Sequence, residues 1–327
     1  MKRQPKPEAQ QPETSQQSRL DDAARAGWLY YVAGNTQDEI ARKLNVSRPT
    51  AQRLVALALA ERLISFRLEH PIATCMELAA ALTERYGLKY CEVAPSDPES
   101  SSAFLGTAER TAAFLEQKLN TPEPMVVAIG TGRTLLAAVD GMERVTCPQH
   151  SFVSLVGHIS MRGSASFYNV LARLSSLTNA PHFPMPLPVV VPSRDQRDQL
   201  MQLEPVVRVL ELGAAADITL VGVGRMDEGA QVFADGFISR EELAEMHELG
   251  AVGEITGWAY DAAGRIISGG FNARLTSVPR KVPAEGLVVG AAQGIAKVLP
   301  IHAALRGHIL NGLITNEATA RSLLDLG

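Results

Sequence analysis

The chain has few cysteines and lacks any long apolar run. Only three cysteines occur in 327 residues, at positions 75, 91 and 147, and none belongs to a CxxC pair. An odd and scattered set argues against a disulfide framework or a zinc site and favours a reducing compartment. No stretch reaches the roughly 18 apolar residues of a membrane span, and no signal peptide precedes the first helix. The sequence therefore predicts a cytoplasmic protein without membrane contact, and no metal or other cofactor is expected.

Basic charge is scarce overall but concentrated near the N-terminus. The net charge is −4, yet residues 36–68 carry six Lys or Arg against three acidic residues, giving +3. Residues 1–35 add +1, so residues 69–327 carry −8. A small basic head on an acidic body fits DNA contact that is confined to one end. The length and the 46% hydrophobic content allow two domains and a large core.

The composition divides the chain into three parts. Residues 1–19 are rich in Gln, Pro and charge, which predicts a disordered tail. A first helix is expected at about residues 20–33, with Trp28, Leu29 and Val32 as its apolar stripe. A DNA-binding domain is predicted at residues 20–70 and an effector-binding and oligomerisation domain at residues 71–327, because His70-Pro71 breaks the pattern between them.

The segment TQDEIARKLNVSRPTAQRLVALAL, residues 36–59, is typical of a helix-turn-helix. Thr36 and Glu39 form a capping box at the first helix, and Ser47 caps the second, with Pro49 in its first turn. Short polar and basic groups then lead the second helix, as major-groove contact requires. The candidate DNA-binding residues are Thr36, Gln37, Arg48, Thr50, Gln52 and Arg53. An ordinary helical hairpin with a solvated polar face is the alternative.

The alternating segment Leu63–Leu68 predicts a strand that would make the motif a winged helix. Its flanking Arg62 and Arg67 would contact the DNA backbone.

Beyond residue 71, short apolar strands alternate with helices. The runs at 125–130, 152–157, 218–224 and 287–292 each end in Gly or another small residue. Continuous apolar strands separated by helices indicate a parallel sheet that is buried on both faces. The fold class is therefore an N-terminal winged helix-turn-helix followed by a Rossmann-like α/β domain. The stretch from His158 to Pro192, which includes the Pro-rich residues 181–192, is predicted to shape either a pocket or an oligomer contact.

The segment from Gly130 to Leu135, GTGRTL, follows one of these strands and opens a helix. Two glycines allow an anion close to the backbone, where N–H groups and the helix dipole can hold a phosphate. Thr131 and Thr134 would add hydroxyl donors. The segment lacks the GxxxxGK[ST] of a nucleotide-hydrolysing loop and the third glycine of GxGxxG, so neither ATP nor a dinucleotide is implied. A plain tight turn is the alternative.

Glu254 and Lys297 are further candidates for ligand contact. A carboxylate suits sugar hydroxyls and an ammonium suits a phosphate. A solvated glutamate and a surface lysine are the alternatives.

Over residues 22–327 the chain resembles the SorC/DeoR-type sugar-binding transcriptional regulators. The resemblance rests, in this order, on TQDEIARKLNVSRPTAQRL, GTGRTL, GAVGEI and KVLPIHAALRGHILNGLITNEATARSLL. It implies an effector domain similar to glucosamine-6-phosphate deaminase and ribose-5-phosphate isomerase that regulates instead of catalysing. It also implies that Gly130, Thr131, Gly132, Arg133, Thr134 and Leu135 bind an effector phosphate, that Glu254 binds sugar hydroxyls and that Lys297 reaches the ligand.

Two positions depart from the family pattern. The family usually has Gly-Gly before that lysine, where this chain has Gln293-Gly294, and Thr-Asp-Glu near the C-terminus, where this chain has Thr315-Asn316-Glu317. The loss of that acidic group predicts an altered choice of ligand.

The sequence thus predicts a transcriptional regulator of carbohydrate or polyol catabolism. Its partners would be a palindromic double-stranded DNA operator and a phosphorylated sugar or polyol. Since one recognition helix offers too little base contact, a homodimer or homotetramer is expected. The rival is a sugar-phosphate isomerase or deaminase with an appended DNA-binding head, but the seven histidines form no HxxE or HxD pair to anchor such chemistry. A third hypothesis, a structural protein that bridges DNA, is disfavoured because it would assign no function to the large acidic α/β domain.

Overall fold

Three helices form the described part of the N-terminal unit. The computed structural model describes residues 13–61, 63–64, 72–96, 104–160, 163–165 and 168–326, and contacts divide the chain into residues 1–69 and 70–327. The helices of the first unit are α1 (Glu13–Tyr31), α2 (Gln37–Leu44) and α3 (Arg48–Ala60). None of the helices in the described ranges is both long enough and apolar enough to cross a membrane.

Helix α1 begins earlier than the sequence predicts. It starts at Glu13 and so includes residues 13–19 of the expected disordered tail, while residues 1–12 lie outside the described ranges. Glu, Gln and Arg are good helix formers, and a helix that is already nucleated by packing extends through such residues at little cost.

The buried face of α1 is made of small residues. Ala23 and Ala26 are fully buried, and a Cβ added to Gly27 would lie 2.8 Å from the Ala58 side chain. Trp28 and Val32 are instead 54% and 66% exposed, so the predicted apolar stripe is wrong for these two residues, whereas Leu29 packs against the core of this unit. The close approach of α1 to α3 leaves no room for large side chains between them.

The helix pair α2 and α3 has the predicted caps. The Thr36 N–H donates to Glu39 Oε2 at 2.8 Å, and the Glu39 N–H donates back to Thr36 Oγ1 at 3.4 Å. Asn45 takes the left-handed conformation at φ 52°, and Ser47 accepts the Thr50 N–H. The helix-turn-helix geometry is therefore confirmed. The predicted wing strand, with Arg62 and Arg67, falls largely outside the described residues.

The second unit alternates helices and strands. Its helices are α4 (Ala73–Tyr86), α5 (Phe104–Leu119), α6 (Arg133–Gly141), α7 (Val170–Thr178), α8 (Arg194–Leu200), α9 (Glu204–Ala214), α10 (Gln231–Ala234), α11 (Arg240–Glu248), α12 (Val298–Arg306) and α13 (Glu317–Asp325). Two 3₁₀ helices cover Gly270–Arg274 and Ile295–Lys297. Its strands are β1 (Tyr90–Ala94), β2 (Val126–Ile129), β3 (Ser151–Ser154), β4 (His182–Phe183), β5 (Ile218–Val221), β6 (Gly224–Arg225), β7 (Ala251–Ile255), β8 (Trp258–Asp261), β9 (Leu287–Ala291) and β10 (Gly312–Asn316).

Seven strands form one parallel sheet in the order β1-β10-β9-β5-β2-β3-β4. The four apolar runs predicted as strands are β2, β3, β5 and β9, which confirms the α/β fold class. Strands β1, β4 and β10 were not predicted: β1 carries a glutamate within its apolar pattern, and β4 has only two residues.

Alternate residues of the sheet belong to two separate cores. Val127 and Ile129 pack with helices α5, α6 and α7, whereas Ala128 packs with α4, α9, α12 and α13. Since successive side chains of a strand point to opposite faces, the sheet carries a helical layer on each side. Strands β6, β7 and β8 form a small antiparallel sheet with its own apolar cluster.

The topology places a crevice beside β2. The chain passes from β2 to β3 on one side and later returns to β5 on the other. In an open parallel sheet, ligands bind at the carboxyl ends of the strands where the winding direction reverses. For this fold that point lies at the loops that follow β2 and β5.

Candidate ligand-binding site

A cavity of about 580 Å³ opens at this point of the sheet. Its walls come from the loops after four strands, including residues 131–135 after β2, 156–157 after β3, 222–225 after β5 and 293–297 after β9. The small antiparallel sheet adds Glu254, Thr256 and Gly257. Residue segments that are far apart in the sequence therefore share one cavity because parallel strands end at the same edge.

The predicted phosphate segment lies on this wall. Thr131, Gly132, Arg133, Thr134 and Leu135 line the cavity. Gly130 does not: its N–H donates to the Leu220 carbonyl at 2.9 Å and so continues the sheet.

The start of α6 has free backbone donors. The N-cap is Gly132, at φ 125°, and no side chain caps the helix. The first N–H groups of a helix have no acceptor within the helix, so those of α6 are available to a ligand. The Thr131 hydroxyl is already used, since it donates to the Tyr168 carbonyl at 2.5 Å. Thr134 is the hydroxyl that remains on this turn.

Glu254 projects from β7 opposite Gly224 of β6. A Cβ at Gly224 would overlap the Glu254 carboxylate, so a larger residue there would displace that carboxylate from its present position. Glu254 Oε2 accepts the Gly257 N–H at 2.7 Å. Burial raises the pKa of Glu254, while the Gly257 hydrogen bond and the nearby Lys297 charge lower it.

Lys297 ends the 3₁₀ helix that precedes α12. Burial lowers its pKa; Glu254 acts in the opposite direction, and the nearby charges of Arg133 and Arg225 lower it further. Among the described residues Lys297 forms no ion pair, even with Glu254, and neither does Arg133. Two cations without a direct acidic partner therefore face the same cavity.

Sequence reasoning missed several residues of this wall. Arg225 lines the cavity, forms an ion pair with Asp227 and lies over Gly229, where any side chain would displace its guanidinium. Gln293 lines it too and accepts a hydrogen bond from Thr107. The available signal was the Gly-x-Gly at 222–224, a second strand-to-loop glycine pair that resembles the one at 130–132.

Asn316 has a structural role in this chain. Its side chain is almost fully buried and caps α13 by accepting the Thr319 N–H at 3.0 Å, and it is not part of the cavity wall. An aspartate could cap the helix in the same way. The Pro-rich stretch contributes Val189 to the cavity, as one of its two predicted roles requires.

The DNA-binding candidates lie on the helix pair. Thr36 caps α2, Gln37 begins it, and Arg48 forms an exposed 3.5 Å ion pair with Asp38. Thr50 is partly buried, and its hydroxyl shares a hydrogen bond with the Ser47 hydroxyl at 2.8 Å. Gln52 and Arg53 are exposed on α3.

Known proteins are similar to this chain in sequence and in fold. Residues 70–325 match the family described as "Putative sugar-binding domain". The erythritol catabolism regulatory protein EryD of Brucella abortus is 34% identical over 302 residues, covering 92% of this chain and 96% of that protein. The deoxyribonucleoside regulator of Bacillus subtilis is 29% identical, covering 93% of this chain and 96% of its own length.

The crystal structure of the full-length sorbitol operon regulator SorC from Klebsiella pneumoniae superimposes with a TM-score of 0.69 at 22% identity. It covers 94% of this chain and 99% of that one. These relatives are regulators of transcription and not enzymes. With a family match across most of its length and the fold of a full-length regulator, this chain belongs to the SorC/DeoR-type family of sugar-binding transcriptional regulators.

Proposed function

We propose that the cavity binds a phosphorylated sugar or polyol and that this effector controls binding to an operator. The observation that carries the proposal is that an uncapped helix start lies beside two cations that form no ion pair with any residue in the described ranges. The first turn of α6 offers backbone N–H groups, and Arg133 and Lys297 lie on the same cavity without a direct acidic partner. A phosphate group would supply both the missing cap and the missing negative charge.

Glu254 gives the cavity a second kind of contact. A carboxylate accepts hydrogen bonds from hydroxyl groups and repels anions, so Glu254 would hold the sugar or polyol part of the effector. It forms no ion pair with Lys297, which leaves room for a ligand to reach both side chains. The effector class is therefore one with a phosphate at one end and several hydroxyls at the other.

The regulators of erythritol, sorbitol and deoxyribonucleoside use among the relatives guide the choice of compounds. We propose erythritol phosphate, sorbitol phosphate and deoxyribose phosphate as the first effectors to test.

DNA contact belongs to the first unit in this proposal. Residues 20–70 would bind DNA through Thr36, Gln37, Arg48, Thr50, Gln52 and Arg53, and residues 71–327 would bind the effector and oligomerise. Because one recognition helix reads too few bases, a homodimer or homotetramer on a palindromic operator is required. Operator DNA places such a protein in the cytoplasm.

Calorimetry with matched pairs tests the effector. The full chain is titrated with each free polyol or sugar and with its phosphate. The phosphate is expected to bind at least about tenfold tighter, since each charge-assisted hydrogen bond contributes about 1.5–3 kcal/mol. Lys297→Ala should remove an intermediate part of that preference because the backbone donors of α6 remain. Equal affinity for a free sugar and its phosphate would show that the α6 turn binds no phosphate.

A further inference from the structure

A strained residue lies on the cavity wall between the two proposed ends of the effector. Strands β7 and β8 pair Ile255 with Trp258, so Thr256 and Gly257 alone form the turn of this hairpin. Both have positive φ, 53° and 88°. Two-residue hairpin turns of this kind favour Asn-Gly or Gly-Gly, because positive φ brings the Cβ of other residues into conflict with the backbone. Threonine, with a branched Cβ, is among the least suited residues for the first position.

The Thr256 side chain packs on the segment that precedes α6. It is 9% exposed, and a Cβ added to Gly130 would lie 3.3 Å from its methyl carbon. The methyl group therefore rests on the backbone of Gly130 and spaces the hairpin from the proposed phosphate-binding turn.

The same turn holds the Glu254 carboxylate. The Gly257 N–H donates to Glu254 Oε2 at 2.7 Å, so the turn conformation fixes where that carboxylate lies. Asparagine would form this turn with less strain but would carry no methyl group toward Gly130. The backbone strain therefore lies at Thr256, which contacts the segment before α6 and belongs to the turn that orients Glu254.

We propose that Thr256 is a positioning residue that sets the separation between Glu254 and the Gly130–Leu135 turn, and so selects the length of the sugar phosphate held at both ends. This inference rests on the proposed effector site. It predicts that relief of the strain at this position stabilises the fold and weakens binding of a ligand that spans both ends.

Three variants of the full chain separate position from stability. Thr256→Asn should raise the unfolding temperature by about 2–4 °C, as expected for relief of about 1 kcal/mol in a domain of this size. Thr256→Val keeps the methyl group and the branched Cβ but loses the hydrogen bond from Thr256 Oγ1 to the Ile255 carbonyl at 2.7 Å, so it should lose clearly less affinity than Thr256→Asn. His308→Asn is the matched control, because His308 also has a positive φ of 55° but is exposed and lies outside the cavity wall.

Each protein is titrated with erythritol phosphate, sorbitol phosphate, deoxyribose phosphate and inorganic phosphate. For the sugar phosphate that the unmodified chain binds most tightly, Thr256→Asn should lose about fivefold to tenfold in affinity, equivalent to one hydrogen bond. Its affinity for inorganic phosphate should not change, since that ion contacts only one end. His308→Asn should gain stability and keep its affinity.

If Thr256→Asn binds the sugar phosphate as tightly as the unmodified chain does, the proposed role of Thr256 is wrong, whereas the proposed effector site still stands. A loss by Thr256→Val as large as that by Thr256→Asn would lead to the same conclusion. If the unmodified chain prefers none of the sugar phosphates to their free forms, the proposed effector site fails, and this inference fails with it.

Discussion

Gly132 is the residue at which a side chain would do most damage to the proposed site. Its φ of 125° favours glycine, and its N–H belongs to the uncapped start of α6. No atom lies within 4 Å of an added Cβ, so a substitution would meet no other part of the protein and would enter the space beside the helix start. Strain and loss of ligand can therefore be separated by comparison with another glycine.

Gly132→Val should abolish the effector response while operator binding persists. The matched control is Gly269→Val, because Gly269 has a φ of 117°, also precedes a helix and has no atom near an added Cβ, yet lies outside the cavity wall. Both variants should lose about 1–3 kcal/mol of stability. Calorimetry and gel shifts decide: loss of effector binding by both variants would mean that strain alone is responsible.

The raised pKa of Glu254 predicts that the stability of the folded chain depends on pH. Burial raises its pKa above 4.5, so just above pH 4.5 the folded carboxyl keeps a proton that the unfolded chain has released. The folded state binds more protons in this window, and this group's contribution to stability falls as pH rises through it. Lys297 and the Gly257 N–H limit the shift without reversing it.

Glu254→Gln should therefore stabilise the chain at pH 7, because glutamine can still accept the Gly257 N–H without a buried charge. The difference from the unmodified chain should shrink toward zero below pH 4.5, where the glutamate is protonated. Denaturant unfolding at pH 4 and pH 7 measures both values. A glutamine variant that is less stable at pH 7 would show that the Lys297 attraction outweighs the desolvation of the carboxylate.

In the proposed function, DNA recognition depends on helix α3. Its exposed Arg53 donates to the Thr50 hydroxyl and to the Pro49 carbonyl, both at 3.3 Å, so the side chain lies along the helix in this structure. Contact with a base would exchange these weak bonds for stronger ones.

Arg53→Ala and Gln52→Ala should each weaken operator binding by about 1–3 kcal/mol and leave the fold intact. Arg306→Ala, at an exposed arginine that ends α12, is the control and should bind the operator normally. Gel shifts at fixed salt measure the change. Unaltered operator affinity in both helix variants would remove α3 from the DNA interface.

Helix α12 and the β7–β8 hairpin are joined by a buried tyrosine. The Tyr260 hydroxyl donates to the Pro300 carbonyl at 3.0 Å, and Gly253 lets the two elements approach because a Cβ there would lie 2.8 Å from the Cβ of Pro300. The hairpin carries Glu254, and Lys297 immediately precedes the helix. Their packing therefore fixes the relative position of the two candidate ligand residues.

Tyr260→Phe should cost about 0.5–1.5 kcal/mol of stability and also weaken effector binding. Tyr86→Phe is the control, since Tyr86 bonds the same helix at His302, at 2.8 Å, from outside the cavity. It should lose comparable stability and retain its affinity. Thermal unfolding and calorimetry on both variants test the difference, and equal effector affinity in the two would exclude a positioning role for Tyr260.

For the whole molecule, effector and operator act on a single protein through linked equilibria. An effector changes operator affinity only if it binds the DNA-competent and DNA-incompetent arrangements with different affinity. The linkage is reciprocal, so operator DNA must change effector affinity by the same factor, within a typical range of about 5–150-fold.

We expect the two factors to agree when operator binding is titrated with and without saturating effector, and effector binding with and without operator. Fluorescence anisotropy and calorimetry give the two sets of constants at one salt concentration. An effector that binds tightly but leaves operator affinity unchanged would exclude it as the regulator's signal.

The sequence by itself determined the local features and the fold class. Caps such as Thr36 and Ser47 depend on neighbours three residues away, and the four apolar runs of the sheet are continuous in the chain, so both could be predicted. The small-residue face of α1 at Ala23 and Ala26 could not, because packing against α3 decided it.

Only the tertiary structure assembled the candidate site. Arg225 and Thr256 are unremarkable in the sequence, and Gln293 stands out there only as a departure from the family pattern. The three residues share a cavity because β5, β7 and β9 end near β2. The strain at Thr256 likewise exists only in the folded hairpin. Short-range hydrogen bonds and hydrophobic periodicity depend on neighbouring residues, so the sequence shows them directly. Which strand ends meet depends instead on the order of the strands in the sheet, and no local sequence pattern specifies that order.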